Sequence, residues 1–137
     1  LAVHNDELQA MYKQVTANEQ MWEEYNCENA EYIITAFGTV ARIAKSAINE
    51  LKEKGIHVGL VRPITVWPFP YDAVAKAVNQ PSVKAVLDVE LNEGQMLEDV
   101  KLAVCGTKPI DFTGHCGSQM PTTDEIVEKI LSMKEGK

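Results

Sequence analysis

The chain has 137 residues, of which 45% are hydrophobic and 24% charged, with a formal net charge of −7. This length fits one domain able to bury a core of useful size, and the acidic balance argues against nucleic acid or an anionic membrane as partner, since both repel it. No apolar run approaches the roughly 20 residues that cross a bilayer, and the apolar core and basic flank of a secretory leader are missing from the sequence as it stands.

Residues 1–29 are polar and acidic. Leu8, Met11, Tyr12 and Val15 share one helix face. The phase is lost around Thr16 to Asn18, so Met21, Trp22 and Tyr25 are expected on a second short turn or helix. The segment is too polar to bury a face alone; it either packs on the rest of the domain or connects to a neighbour. A first residue of Leu rather than Met leads us to expect a chain cut from something longer.

From Glu31 the signals alternate. Tyr32 to Phe37 is a β-branched and aromatic run closed by Gly38, a predicted strand. Val40, Ile43, Ala44, Ala47, Ile48 and Leu51 recur at helical spacing, with Gly55 at the C-cap. Ile56–Val61 predicts a second strand, Asp72–Asn79 a short helix and Val83–Val89 a third strand. Residues 93–104 predict a helix stopped by Gly106, Pro109–Thr113 a weaker fourth strand. Thr122 and Glu125 form a capping box that opens a last helix carrying Ile126, Val127, Ile130 and Leu131. Alternating strands and helices imply right-handed crossovers and a mainly parallel sheet covered on both faces, a three-layer α/β fold.

Functional loops of such sheets gather at the carboxyl ends of the strands. The segment after the second strand, Arg62-Pro63-Ile64-Thr65-Val66-Trp67-Pro68-Phe69-Pro70, is stiffened by its prolines and barred from helix. Trp67 and Phe69 on so rigid a path are expected to offer aromatic surface to a partner. Thr39 is read as the N-cap of its helix, with Arg42 on the first turn as a surface or interface charge; neither Gly-rich phosphate motif occurs. Glu90 follows a buried strand and needs a partner. It is either a general acid or base, or an ion-pair mate of Arg62, and we take the ion pair because no second catalytic group lies near it in sequence. Asn92 reads as an N-cap and Gln95 as a first-turn residue, both open to a partner.

His115 and Cys116 are adjacent, and neighbours in extended chain point opposite ways, which arranges them poorly for thiolate activation. Of the other cysteines, Cys27 reads as a loop residue and Cys105 as a small core residue. Three cysteines with no repeated spacing argue against a disulfide framework and for a reducing, cytoplasmic setting. No C-x-x-C occurs to hold an iron–sulfur cluster, and His4, His57 and His115 are too scattered for zinc. Accordingly no catalytic, cofactor-binding or metal residue is assigned in this chain.

The run YIITAFGTVARIAKSAINELKEKGIHVGLVRPITVWPFP, followed by VLDVELNEGQMLEDVKLAV, resembles the C-terminal domain of the alpha subunit of 2-oxoacid:ferredoxin oxidoreductases, closest to those acting on branched-chain 2-oxoacids or 2-oxoglutarate. The resemblance spans residues 19–134, including Trp22–Tyr25. It implies a transketolase C-terminal-type fold of five strands, of which the pattern places four, with one edge strand antiparallel. It also implies that residues 1–29 connect to an upstream thiamine-diphosphate-binding domain and that residues 30–137 form the transketolase-like unit. The activity implied is oxidative decarboxylation of a 2-oxoacid to an acyl-CoA, using thiamine diphosphate, Mg and iron–sulfur clusters held elsewhere in the assembly. Ferredoxin and the other subunits are the implied partners. Where the family carries G-R-x-G-G before the last helix, this chain has Gly114-His115-Cys116-Gly117-Ser118, so any role of that arginine does not transfer. The expected role of this domain is subunit bracing, with Trp67, Phe69 and Pro70 as anchors. Two rivals are a domain of this type from a 2-oxoacid dehydrogenase beta subunit and a stand-alone, non-catalytic ligand-binding module.

Overall fold

The computed structural model describes residues 1–136. In chain order it contains α1 (Ala2–Asn18), β1 (Trp22–Tyr25), β2 (Tyr32–Thr35), α2 (Gly38–Glu53), β3 (Val58–Pro63), α3 (Tyr71–Val78), β4 (Ala85–Glu90), α4 (Gln95–Val104), β5 (Ile110–Gly114) and α5 (Thr123–Glu135). The strands form one sheet in the order β1-β3-β2-β4-β5. Pairing is parallel throughout except at the β1 edge, which runs antiparallel to β3.

The central strands β2 and β4 are buried on both faces, as near-continuous apolar runs of a covered parallel sheet are. Tyr32, Ile34, Leu60, Leu87 and Val89 point to one side and pack under α2 and α5 with Ala44, Ile48, Leu51, Ile126 and Ile130. Ile33, Val61 and Val86 point to the other and pack with Val74, Met96 and Val100 of α3 and α4. At roughly 25 cal/mol per Å² of apolar surface, these two layers are the main stabilising term of the fold.

Local signals set the helix ends. The last turn of α2 closes as a Schellman motif: Ile56 N–H donates to Leu51 O at 2.9 Å and Gly55 N–H to Lys52 O at 3.0 Å. Gly55 takes φ +76, which only glycine adopts cheaply. α5 opens on the predicted capping box, Thr122 accepting from Glu125 N–H at 3.2 Å. Thr39 does not cap α2: the N-cap is Phe37, no side chain satisfies that end, and Thr39 lies exposed inside the first turn.

Residues 1–29 depart from expectation. α1 runs unbroken through Thr16 to Asn18 and buries none of its residues. Met21, Trp22 and Tyr25 lie on or beside a strand rather than a helical turn. The open edge of β3 decides this. β1 pairs with it from Trp22↔Pro63 to Tyr25↔Leu60, and Met21 O accepts from both Ile64 N and Thr65 N at 2.9 and 3.1 Å. These ladder bonds outweigh a helical spacing of only three apolar residues. β1 is therefore the fifth strand, antiparallel and at the edge, as the resemblance implies.

Candidate functional site

The carboxyl ends of β2 and β4 meet at the point where the chain reverses its direction across the sheet. Thr35 and Asp88 are register partners there, and the Thr35 hydroxyl donates to Asp88 Oδ1 at 2.6 Å. Glu90, two residues on, shares the strand face of Asp88. Thr35, Asp88 and Glu90 are all fully buried. The Glu90 oxygens accept from Met96 N–H at 2.9 Å, Leu97 N–H at 2.8 Å and the Asn92 amide at 2.9 Å, so Glu90 occupies the open N–H groups of the first turn of α4. Asp88 Oδ2 receives no N–H or hydroxyl donor among the described residues. Burial, and then its hydrogen bond with Glu90, push the Asp88 carboxyl up to about 8. At neutral pH Asp88 therefore keeps its proton and donates it to Glu90.

Glu90 thus does not pair with Arg62. The expected ion pair is replaced by backbone N–H groups that the α4 turn carries within reach of Glu90. Asn92 is not the N-cap residue, which is Gly94, but its Oδ1 accepts from Gly94 N–H and Gln95 N–H, both at 2.8 Å. It therefore caps the helix from two positions earlier. Gln95 is the first residue of α4 and is exposed.

Arg62 instead turns to the sheet edge, where Arg62 Nη1 lies 3.2 Å from Glu23 Oε2. Lys45 of α2 bonds the other Glu23 oxygen. Hydrogen bonding from Lys45 comes first among the causes that hold Glu23 below the usual carboxylate range. Arg42, exposed on α2, completes the rim of a cleft of about 250 Å³ with Gly38, Ala41, Lys45 and Arg62.

Beyond Pro63, which is buried as the last residue of β3, the chain forms a braced loop. The Thr65 hydroxyl accepts from Met21 N–H at 3.0 Å and donates to Pro68 O at 2.9 Å, fixing residues 65–68 against the β1 edge. Trp67 is 62% exposed, flanked by exposed Ile64 and Val66, and its ring meets Tyr12 of α1 edge-on at 5.7 Å. Phe69 is the correction: at 3% exposure it belongs to the core, edge-on to Tyr71 at 4.9 Å. Pro68 and Pro70 are buried too. The stiff path points one aromatic out and the other in, so Phe69 and Pro70 brace the loop while Trp67 faces away. A cleft of about 280 Å³ between Thr16, Val66, Trp67, Pro68, Tyr71 and Asp99 lies beside it.

The last loop is tied down by His115, whose Nε2 sits 2.7 and 2.9 Å from the two Glu125 oxygens. His115 N–H also reaches Glu90 O at 3.3 Å. Cys116 is exposed, and Glu93 beside it pushes its thiol up, away from the reactive thiolate. Of the other cysteines, Cys27 lies in the β1–β2 loop as expected, and Cys105 is the correction, since it is not a core residue. Cys27 is buried against the sheet, its thiol raised to about 11 by burial, while Cys105 is exposed at the left-handed end of α4. The three thiols thus lie on separate elements. Among the described residues no three His, Cys, Asp or Glu side chains are arranged around one ion. This donor set fits neither a cluster nor a Mg site. A wider hollow, about 800 Å³, lies at the opposite end of the sheet between Glu24, Asn26, Cys27, Glu28, Asn29 and His57; His57 there bonds Asn26 O at 3.1 Å.

Sequence reasoning missed Asp88, Thr35 and Glu23. The signal for Asp88 was present: a carboxylate inside the apolar run Ala85–Glu90 cannot stay unpartnered. Glu23 was legible only once Trp22–Tyr25 is read with period two, its residues alternating between exposed and half-buried.

The family profile described as pyruvate:ferredoxin oxidoreductase core domain II matches residues 30–126. The ketoisovalerate oxidoreductase subunit VorB of Methanothermobacter thermautotrophicus is 34% identical over 123 residues, which cover 90% of this chain and 34% of that protein. The 2-oxoglutarate synthase subunit KorA of Methanocaldococcus jannaschii is 31% identical over 110 residues, 80% of this chain and 29% of its own length. This chain thus spans about a third of the length of these curated relatives. Among solved structures, the 2-oxoglutarate:ferredoxin oxidoreductase of Magnetococcus marinus superposes with a TM-score of 0.74 at 20% identity, over 88% of this chain and 21% of that one. A split-gene transketolase superposes at 0.61 and 16% identity, over 74% and 37%. Both likenesses establish the fold.

Proposed function

The chain belongs to the pyruvate:ferredoxin oxidoreductase core domain II family, and from that premise we propose that it is the C-terminal, transketolase-type domain of an alpha subunit of a 2-oxoacid:ferredoxin oxidoreductase. The whole enzyme would decarboxylate a 2-oxoacid oxidatively to an acyl-CoA and pass the electrons to ferredoxin. Relatives that carry ketoisovalerate and 2-oxoglutarate in their names support a substrate of that class. Thiamine diphosphate, Mg, the clusters and coenzyme A would be held by other domains and subunits, and residues 1–29 would join this unit to the thiamine domain.

The domain itself braces the assembly and contributes no catalytic side chain. One observation carries this reading: Trp67, with Ile64 and Val66, is displayed to solvent by a loop pinned at Thr65 and Pro68, while Thr35, Asp88 and Glu90 at the strand ends are engaged with one another and with the first turn of α4. An aromatic held out rigidly loses little entropy on docking, which is what a binding anchor requires. Calorimetric titration of thiamine diphosphate with Mg²⁺ into the chain should show no binding. Saturation in the micromolar range (about −8 kcal/mol) would overturn the assignment of the cofactor site to other domains.

A further inference from the structure

The cleft beside β3 gathers charge against the trend of the molecule. The chain as a whole carries −7, yet Arg42, Lys45 and Arg62 line this cleft and only Lys45 and Arg62 pair with a carboxylate, the shared Glu23, leaving two positive charges in excess. Like charges drawn from two elements, α2 and β3, repel one another, so the arrangement costs stability unless an anion compensates it. Glu23 uses one oxygen for Lys45 and the other for Arg62 Nη1, and Arg42 has none of it. Arg62 Nε is buried and has no hydrogen-bond partner among the described residues, although a guanidinium is built to present its N–H groups as a fork to an oxyanion. The space, about 250 Å³ with Gly38 at its wall, admits a tetrahedral oxyanion with a few waters but not a folded segment of polypeptide.

We propose that this cleft binds a phosphate-type dianion, free or as the terminal phosphate of a small ester, between Arg42, Lys45 and Arg62, with Glu23 as the intramolecular competitor that holds two of the cations in its absence. A dianion matches the excess charge, whereas a monocarboxylate leaves one cation uncompensated.

Calorimetric titration of inorganic phosphate into the chain at low ionic strength tests this. Saturable binding is expected near the millimolar range (about −4 kcal/mol), with acetate at least about tenfold weaker. Arg42 is exposed and makes no hydrogen bond or ion pair among the described residues, so R42Q folds normally and should weaken phosphate about tenfold, a loss of about 1.4 kcal/mol. E23Q removes the competitor and should tighten it several-fold. ADP assigns the source: binding at least as tight as phosphate and lost in R42Q identifies an ester, and weaker binding identifies the free anion. No saturation by either, an unchanged affinity in R42Q, or weaker binding in E23Q would overturn the proposal. Each of these leaves the docking reading of Trp67 untouched, because residues 64–70 do not line the cleft that the titration reads.

Discussion

Asp88 concentrates the electrostatics of this molecule in one side chain. It is fully buried and faces Glu90 on the same strand surface, and its upward shift to about 8 comes from burial and from that neighbour. The native carboxyl therefore holds its proton where the unfolded one, near 3.8, has released it. The folded state binds more protons between those values, so stability falls as pH rises from about 4 to about 8 and levels off above. Asp88→Asn keeps the shape, lets the amide donate to Glu90 and the oxygen accept from Thr35, and removes the titration. Urea unfolding should show wild type losing ground to the variant across that window, by up to about 5 kcal/mol at pH 8. Parallel stability curves for the two proteins would contradict the assignment of the shared proton. The need of a buried Asp88 for a partner was legible in the apolar run around it, but its pairing with Thr35 and Glu90 was not. Glu90 was expected to seek a cation, but a carboxylate at the start of a helix finds N–H groups without one.

At the scale of elements, the regular units with strong periodicity were legible and the units recruited by tertiary contact were not. The long amphipathic α2, the capped α5 and the apolar β4 announce themselves, since each carries its own signal in spacing or caps. β1 carries only four residues, and what makes it a strand is the exposed edge of β3, which no local window contains. The close approach of β5 to the 90–95 loop is equally invisible. A Cβ on Gly114 would stand 2.3 Å from both Asn92 O and the Phe112 ring, so this glycine serves proximity and not turn geometry. Gly114→Ala should displace the Asn92 loop and with it the cap on α4, costing roughly 1–3 kcal/mol of stability. Amide exchange would locate the loosening at residues 92–97. A variant as stable as the parent, with that segment unchanged, would mean the loop yields freely.

At the scale of the whole molecule, two covered faces and a pinned loop leave an exposed aromatic region, formed by Met21, Trp22, Ile64, Val66 and Trp67 together with Tyr12 of α1. α1 adds no buried residue of its own and meets the loop through Tyr12 and Trp67. Sequence reasoning foresaw the outward aromatic on the proline-stiffened path and erred over its neighbour. Prolines fix the backbone direction, and the core on the α3 and α4 side then decides which ring turns inward. The fold class was legible because alternating strands and helices admit few arrangements, while the proposed docking of Trp67 concerns a surface whose occupant no local pattern in the chain specifies. The most direct test is hydroxyl-radical footprinting read by mass spectrometry, which reports on the peptide carrying Trp67 whatever other tryptophans an assembly holds. Trp67 should oxidise readily in the free chain and be largely protected once the chain is part of the assembled enzyme; equal oxidation in both would contradict a docking role for this surface.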